Sequence, residues 1–149
     1  MTTRTIQGRY LLRPSPEVNQ TILGVLGRAQ RRTEMGICAF TFLSNHYHML
    51  VVPESTRQLS EFMAFVNGNI ARKVGRLHNW RAKMWSRRYQ HIIVLDEPEA
   101  QLARLKYLLA QGVKEGLVAK PEDWPGAHCV GQLVSGNPQI YGGVWRDQT

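Results

Sequence analysis

The sequence predicts a ferredoxin-like α+β fold: an antiparallel sheet with helices packed on one face and an additional C-terminal helix that carries a tyrosine. Three observations predict it. Segments follow one another as strand, helix, strand, strand, helix, strand, helix; the two middle strands meet in a Ser44-Asn45 turn as a hairpin; and the helices are apolar along one stripe only. With 149 residues and 43% hydrophobic content, the chain is sized for a single domain spanning residues 1–149, in which residues from about 122 to 149 form an irregular tail.

Taken in order, Thr2 to Leu12 carry a weak strand signal interrupted by a Gln7-Gly8 turn, so the first strand is short. Ser15-Pro16-Glu17 starts a helix, because serine caps free amides and proline suits the first turn. Val18, Ile22, Val25, Leu26 and Ala29 repeat at helical spacing, and Arg28, Arg31 and Arg32 crowd the last turn, where the dipole favours cations. The predicted helix runs from Pro16 to Thr33. Ile37 to Leu43 is β-branched and aromatic, and after the turn the second hairpin arm opens with His46-Tyr47-His48. Ser55-Thr56-Arg57-Gln58 has the form of a capping box, and Leu59, Phe62, Met63, Val66, Ile70, Val74 and Leu77 then define a helix from about Thr56 to Leu77.

Arg87 to Leu95 reads as a fourth strand. Asp96 then caps a last helix, with Glu99 reaching back and Leu102, Leu105, Leu109 and Val113 as its buried stripe. Tyr107 and Gln111 stand one turn apart on another face, flanked by Arg104. Gly116 and Pro121 bracket the end of this element, and Pro125-Gly126 and Gly142-Gly143 mark turns in a tail expected to pack across the surface.

Composition narrows the partners. Nineteen Lys and Arg against eleven Asp and Glu give a charge of +8, which favours a polyanion. The longest apolar runs are too short to span a bilayer and the start shows no signal-peptide apolar region, so a cytoplasmic setting without a membrane partner is expected. Cys38 and Cys129 form no C-x-x-C pair and are expected as reduced thiols. Asn69, Arg72, Lys73 and Arg76 share one side of the second long helix. Arg81, Lys83, Arg87 and Arg88 follow, interleaved with Trp80, Trp85 and Tyr89. Cations that neutralise phosphates, mixed with aromatic faces on which bases stack, suit single-stranded or hairpin nucleic acid.

Strand side chains alternate faces, so His46 and His48 point the same way. Such a pair holds one metal ion, since neutral imidazole is the commonest protein metal ligand; it serves equally as a strand's polar outer face. His78, His91 and His128 lack such partners and read as surface or packing residues.

Four stretches in one order carry a family resemblance: Phe42-Leu43-Ser44-Asn45-His46-Tyr47-His48-Met49-Leu50, Met84-Trp85-Ser86-Arg87-Arg88-Tyr89, Tyr107 through Val118, and Pro121-Glu122-Asp123-Trp124-Pro125. Together they resemble the REP-associated tyrosine transposases of the HUH single-strand nuclease superfamily. The resemblance implies that His46, His48 and Gln111 hold a divalent metal and that Tyr107 attacks a DNA phosphodiester. From the mixture of cations and aromatics, the expected DNA-binding surface comprises Arg72, Lys73, Arg76, Arg81, Lys83, Trp85, Arg87, Arg88 and Arg104, in a monomer or a homodimer. The family motif after the tyrosine usually reads Asn-Pro-Val-Arg-Ala-Gly-Leu-Val, where this chain has Gln111-Gly112-Val113-Lys114-Glu115-Gly116-Leu117-Val118. Losing the proline is expected to change how the helix bends or ends there.

A tyrosine phenol, with a pKa near ~10, needs assistance to attack at neutral pH, and a metal that polarises the phosphate supplies it. Two imidazoles and an amide with open positions suit Mn²⁺ well and Mg²⁺ acceptably. The expected activity is single-strand DNA nicking and joining through a 5′-phosphotyrosine. The alternative is a domesticated, non-catalytic protein that binds hairpin or single-stranded nucleic acid.

Overall fold

The computed structural model describes residues 1–135. Its sheet has three antiparallel strands, β1 (Thr2–Arg4), β2 (Gly36–Phe42) and β3 (His46–Val52), in the order β1-β3-β2. Two long helices, α1 (Pro16–Thr33) and α2 (Thr56–Leu77), pack on each other, with the bounds their caps predict. Ser15 Oγ accepts from the Val18 amide at 3.1 Å and Ser55 Oγ from the Gln58 amide at 3.0 Å, each satisfying an otherwise orphaned donor. Gln58 Oε1 accepts from the Glu54 amide at 2.6 Å, one residue before the cap. Beyond Thr33, Glu34 turns left-handed at φ +58° and its amide donates to the Gln30 carbonyl, which stops α1.

The core lies between this helix pair and one face of the sheet. Val18, Ile22 and Val25 from α1 and Phe62, Met63, Val66 and Ile70 from α2 are buried against Phe42, Tyr47 and Met49. Tyr47 stacks on Phe42 with 4.5 Å between centroids, and its hydroxyl donates to Asn67 Oδ1. Because neighbours on a strand alternate, Tyr47 inside places His46 and His48 on the other face.

A regular fourth strand is absent among the described residues. Residues 84–90 run antiparallel beside β1 through isolated bridges, Thr5 to Trp85 and Thr2 to Gln90, with the Ser86 amide donating to the Arg4 carbonyl at 2.9 Å. A partner three residues long cannot support a nine-residue ladder. Beyond Gln90 no further bridge to β1 forms among the described residues, and Ile92, Ile93 and Leu95 stand exposed.

The last predicted helix is two pieces, α3 (Pro98–Leu109) and α4 (Gln111–Lys114), broken at Ala110 (φ −86°, ψ 4°). The break forms without a proline. Gly112 fits closely behind it, since a Cβ there would meet Val118 Cγ2 at 3.1 Å. Glu97, not Asp96, is the cap residue of α3 and makes no side-chain cap bond; Asp96 Oδ1 instead accepts from Gln101 Nε2 at 3.0 Å. The buried residue of α3 is Leu108, while Leu102 and Val113 are exposed, so the helix leans on the sheet by its last turn rather than along a stripe. Gly116 (φ +72°) ends α4, as its position predicts.

The described part of the tail is more ordered than its composition suggests. The Phe42 amide donates to the Ala127 carbonyl and the Cys129 amide to the Phe40 carbonyl, extending the sheet beyond β2, and α5 (Val130–Ser135) follows. Trp124 is buried, its indole donating to the Phe42 carbonyl at 2.7 Å. The expectations for residues 136–149, including the Gly142-Gly143 turn, lie outside the described residues. A Cβ on Gly126 would collide with the Trp124 indole nitrogen and stand 2.7 Å from the Phe42 oxygen. Gly126→Ala is therefore expected to cost about 2–3 kcal/mol by forcing this anchor apart. Chemical denaturation of the two proteins checks it.

Candidate active site

The hairpin arm β3 presents both imidazoles on the face opposite α1 and α2. Their centroids are 5.1 Å apart, and β1 lies directly across from them, with Thr2 opposite His48 and Arg4 opposite His46. Each ring is held by its Nδ1. His46 Nδ1 lies 2.7 Å from Asn45 Oδ1, and His48 Nδ1 lies 3.1 Å from Thr2 Oγ1. Asn45 is itself fixed: its carbonyl accepts from the Thr5 hydroxyl and amide, and its Nδ2 donates to the Gly8 carbonyl. With Nδ2 so engaged, Oδ1 accepts from His46 Nδ1–H and leaves Nε2 bearing a lone pair.

Burial lowers the pKa of His46, with Arg4 adding to the effect and Glu115 opposing it. Burial, helped by His46, the Met1 ammonium, Arg4 and Lys114, pushes His48 down to about 4. Both rings are therefore neutral at pH 7. The sign for stability follows directly. The unfolded histidine takes up its proton near pH 6.5 and the folded one only near pH 4, so stability is full above pH 6.5 and is lost as pH falls toward 4. Allowing for solvent screening, the His48 share is about 2 kcal/mol. Urea melts of metal-free protein across this range should show a smaller loss in His48→Asn than in wild type.

The last turn of α3 brings Tyr107 to this face. Its ring stands edge-on to His48 at 6.1 Å between centroids, and it is 43% exposed, open to a ligand. Lys114 Nζ lies 4.6 Å and Arg104 Cζ 5.8 Å from the ring centroid, so two cations flank the phenol. Gln111 is buried beneath, its Nε2 donating to the Tyr107 carbonyl at 2.9 Å across the helix break. That bond ties Gln111 to Tyr107 and leaves the amide oxygen as its lone-pair donor. Glu115, just past α4, brings Oε1 to 3.4 Å from His46 Nε2.

The donor chemistry fits a divalent ion: two neutral imidazoles oriented by partners on their other nitrogens, with oxygen donors at hand. Among the described residues no three His, Cys, Asp or Glu side chains are gathered as a ready-made cluster. A third donor has to be the Gln111 amide or a side chain that turns inward. Cys38 is exposed at the bulge of β2 between Ile37 and Ala39.

The basic residues divide into separate groups. Arg104 joins Tyr107. Arg72, Arg76 and Arg81 line a cleft of about 450 Å³ with Trp80 at the end of α2. Arg87, Arg88 and Tyr89 line a second cleft of about 400 Å³ with Trp85 and Asn67. Trp85 is partly committed to the fold, its indole donating to the Asn67 carbonyl at 2.9 Å and its ring packing edge-on to Tyr47. Asn69 is buried rather than displayed beside these cations, donating to the Phe65 carbonyl and accepting from Arg72. Lys83 Nζ reaches the Ser86 carbonyl at 3.5 Å. Sequence reasoning missed Thr2, Arg4, Lys114 and Glu115 at the site. Register revealed the first two; the last two stand in the stretch after Tyr107, and the fold of α4 on α3 brings them to the site.

The family model for IS200-like transposases matches residues 8–109 of the chain. Among solved structures, that of a REP-associated tyrosine transposase bound to a REP hairpin shares the fold, with a TM-score of 0.65 and 19% identity over 95% of this chain and 82% of that one. No curated protein matches.

Proposed function

The chain belongs to the IS200-like transposase family, and from that premise we propose that it nicks and joins single-stranded DNA near hairpins, with Tyr107 as nucleophile. The carrying observation is the approach of Tyr107 to His48 on the open sheet face, with Lys114 and Arg104 beside the phenol. Mn²⁺ or Mg²⁺ held by His46, His48 and the Gln111 amide oxygen would polarise the scissile phosphate and steady its charge.

The chain's own residues do the rest. Asn45 and Thr2 fix the imidazole tautomers and orientation. Lys114 and Arg104 attract and position a phosphate next to the phenol. Tyr107 Oη forms a bond to phosphorus as the bond to the 3′ oxygen breaks. The phenolic proton leaves to solvent, and the departing oxygen gains one as a 3′-hydroxyl. Because the phosphotyrosine link retains the phosphodiester's energy, attack by another 3′ end reverses the step and joins strands.

The reading is tested by incubating the protein with labelled hairpin oligonucleotides and Mn²⁺ or Mg²⁺. A denaturation-resistant adduct on a 5′ phosphate supports it. Absence of any adduct, with hairpin binding retained, selects the non-catalytic binding alternative. The two cation-lined clefts also support a partner with unpaired bases over plain duplex. Affinity for a hairpin oligonucleotide should exceed that for featureless duplex at one salt concentration and fall at least tenfold between about 50 and 200 mM salt. Equal or tighter duplex binding in competition contradicts this.

A further inference from the structure

His46 turns Nδ1 to Asn45 Oδ1, and its other ring nitrogen, Nε2, faces Glu115 Oε1 at 3.4 Å on the open face of the sheet. A single cation can be bound by both atoms at that separation. Two donors about 2.1–2.2 Å from one ion, at slightly more than a right angle, are themselves roughly 3.0–3.4 Å apart, which is the spacing found.

Local charge points the same way. Arg4 and Lys114 act on His48, and both are positive. A dication held there by neutral donors alone would be repelled by these two cations. Glu115 is the carboxylate that touches the pair, and it offsets this field. Its position is set by the backbone: the Glu115 amide donates to the Gln111 carbonyl at 3.0 Å, and Gly116 (φ +72°) reverses the chain immediately after it. Its side chain is 40% exposed, free to adjust its rotamer onto an ion.

We propose that Glu115 is an anionic ligand of the divalent ion held by His46 and His48. The inference rests on the metal site proposed above. Its consequence is selectivity, because a carboxylate oxygen strengthens binding of hard ions such as Mn²⁺ and Mg²⁺.

The test is Mn²⁺ titration of the full-length, DNA-free protein, followed by the electron paramagnetic resonance signal of free Mn²⁺. Wild type, Glu115→Gln and His46→Ala/His48→Ala are compared, with circular dichroism to confirm folding. Glu115→Gln keeps the shape and removes the charge, and is expected to weaken Mn²⁺ binding at least tenfold. Glu115→Asp, which restores the carboxylate, should recover part of that loss. If Glu115→Gln binds within threefold of wild type while the double histidine variant loses binding, Glu115 is not a ligand and the metal site stands. If the double histidine variant binds like wild type, the site itself is misassigned and this inference falls with it.

Discussion

Tyr107→Phe is expected to lower DNA nicking by at least about 10³-fold and to yield no protein–DNA adduct, because it deletes the hydroxyl proposed to attack phosphorus. Nothing else should change much. The hydroxyl belongs to a residue 43% exposed, so no buried hydrogen bond is lost, and the ring keeps its edge contact with His48 and the cations over its face. Stability should stay within about 0.5 kcal/mol of wild type and hairpin affinity within a fewfold. A labelled oligonucleotide resolved on a denaturing gel reads both nicking and adduct. Undiminished nicking in the phenylalanine variant would remove Tyr107 from the mechanism. So would an adduct mapped to Tyr89, which lies at the cleft beside Arg88.

Replacing the histidine pair is expected to have an effect of similar size. His46→Ala/His48→Ala should reduce nicking to the level wild type shows in excess chelator, since on the proposed reading both treatments remove the ion. The structure adds a cost that the strand pattern did not suggest. His46 is buried, so its loss leaves a small cavity and deprives Asn45 of a hydrogen bond, for about 1–2 kcal/mol. The fold should survive, because neither ring belongs to the apolar core. Metal-dependent nicking in the folded double variant at the wild-type rate would refute the assignment.

Much of this arrangement is legible in the sequence, and the parts that are not share a cause. The bounds of α1 and α2 follow from Ser15, Pro16 and Ser55, whose capping is local chemistry. The shared face of His46 and His48 follows from strand alternation, with Tyr47 and its hydrogen bond to Asn67 as the internal check. What failed depended on partners distant in the chain. Residues 87–95 have the composition of a strand, yet strand character is realised only against a neighbour, and β1 offers three residues. Leu102 and Val113 keep helical spacing around Leu105 and Leu109, but only the last turn of α3 is packed and the helix breaks at Ala110, so both ends of that stripe stand exposed. The tail looked irregular because short runs at Trp124 and Ala127–Cys129 pack by pairing with β2, which no periodicity within the tail records. At the site, the chemistry-bearing residue types were readable, whereas Thr2 and Arg4 gained meaning only from the register of β1 on β3.

The shortness of β1 has a kinetic side. Its ladder to β3 covers three residue pairs, flanked by hydrogen bonds at Met1 and Thr5, and on its other edge isolated bridges and the Ser86–Arg4 bond hold it, so a small local set of hydrogen bonds must break together for it to lift away. Such opening is a local event, far less costly than global unfolding. The core helices stay packed through it, since β1 contributes Thr3 but no large apolar side chain to the interior. One sub-globular fluctuation would thus part Thr2 from His48 and draw Arg4 from His46 together. Amide exchange along β1 consequently reports how often the histidine pair is released from its supports, and a ligand bound at the pair would slow exchange at a strand it need not touch.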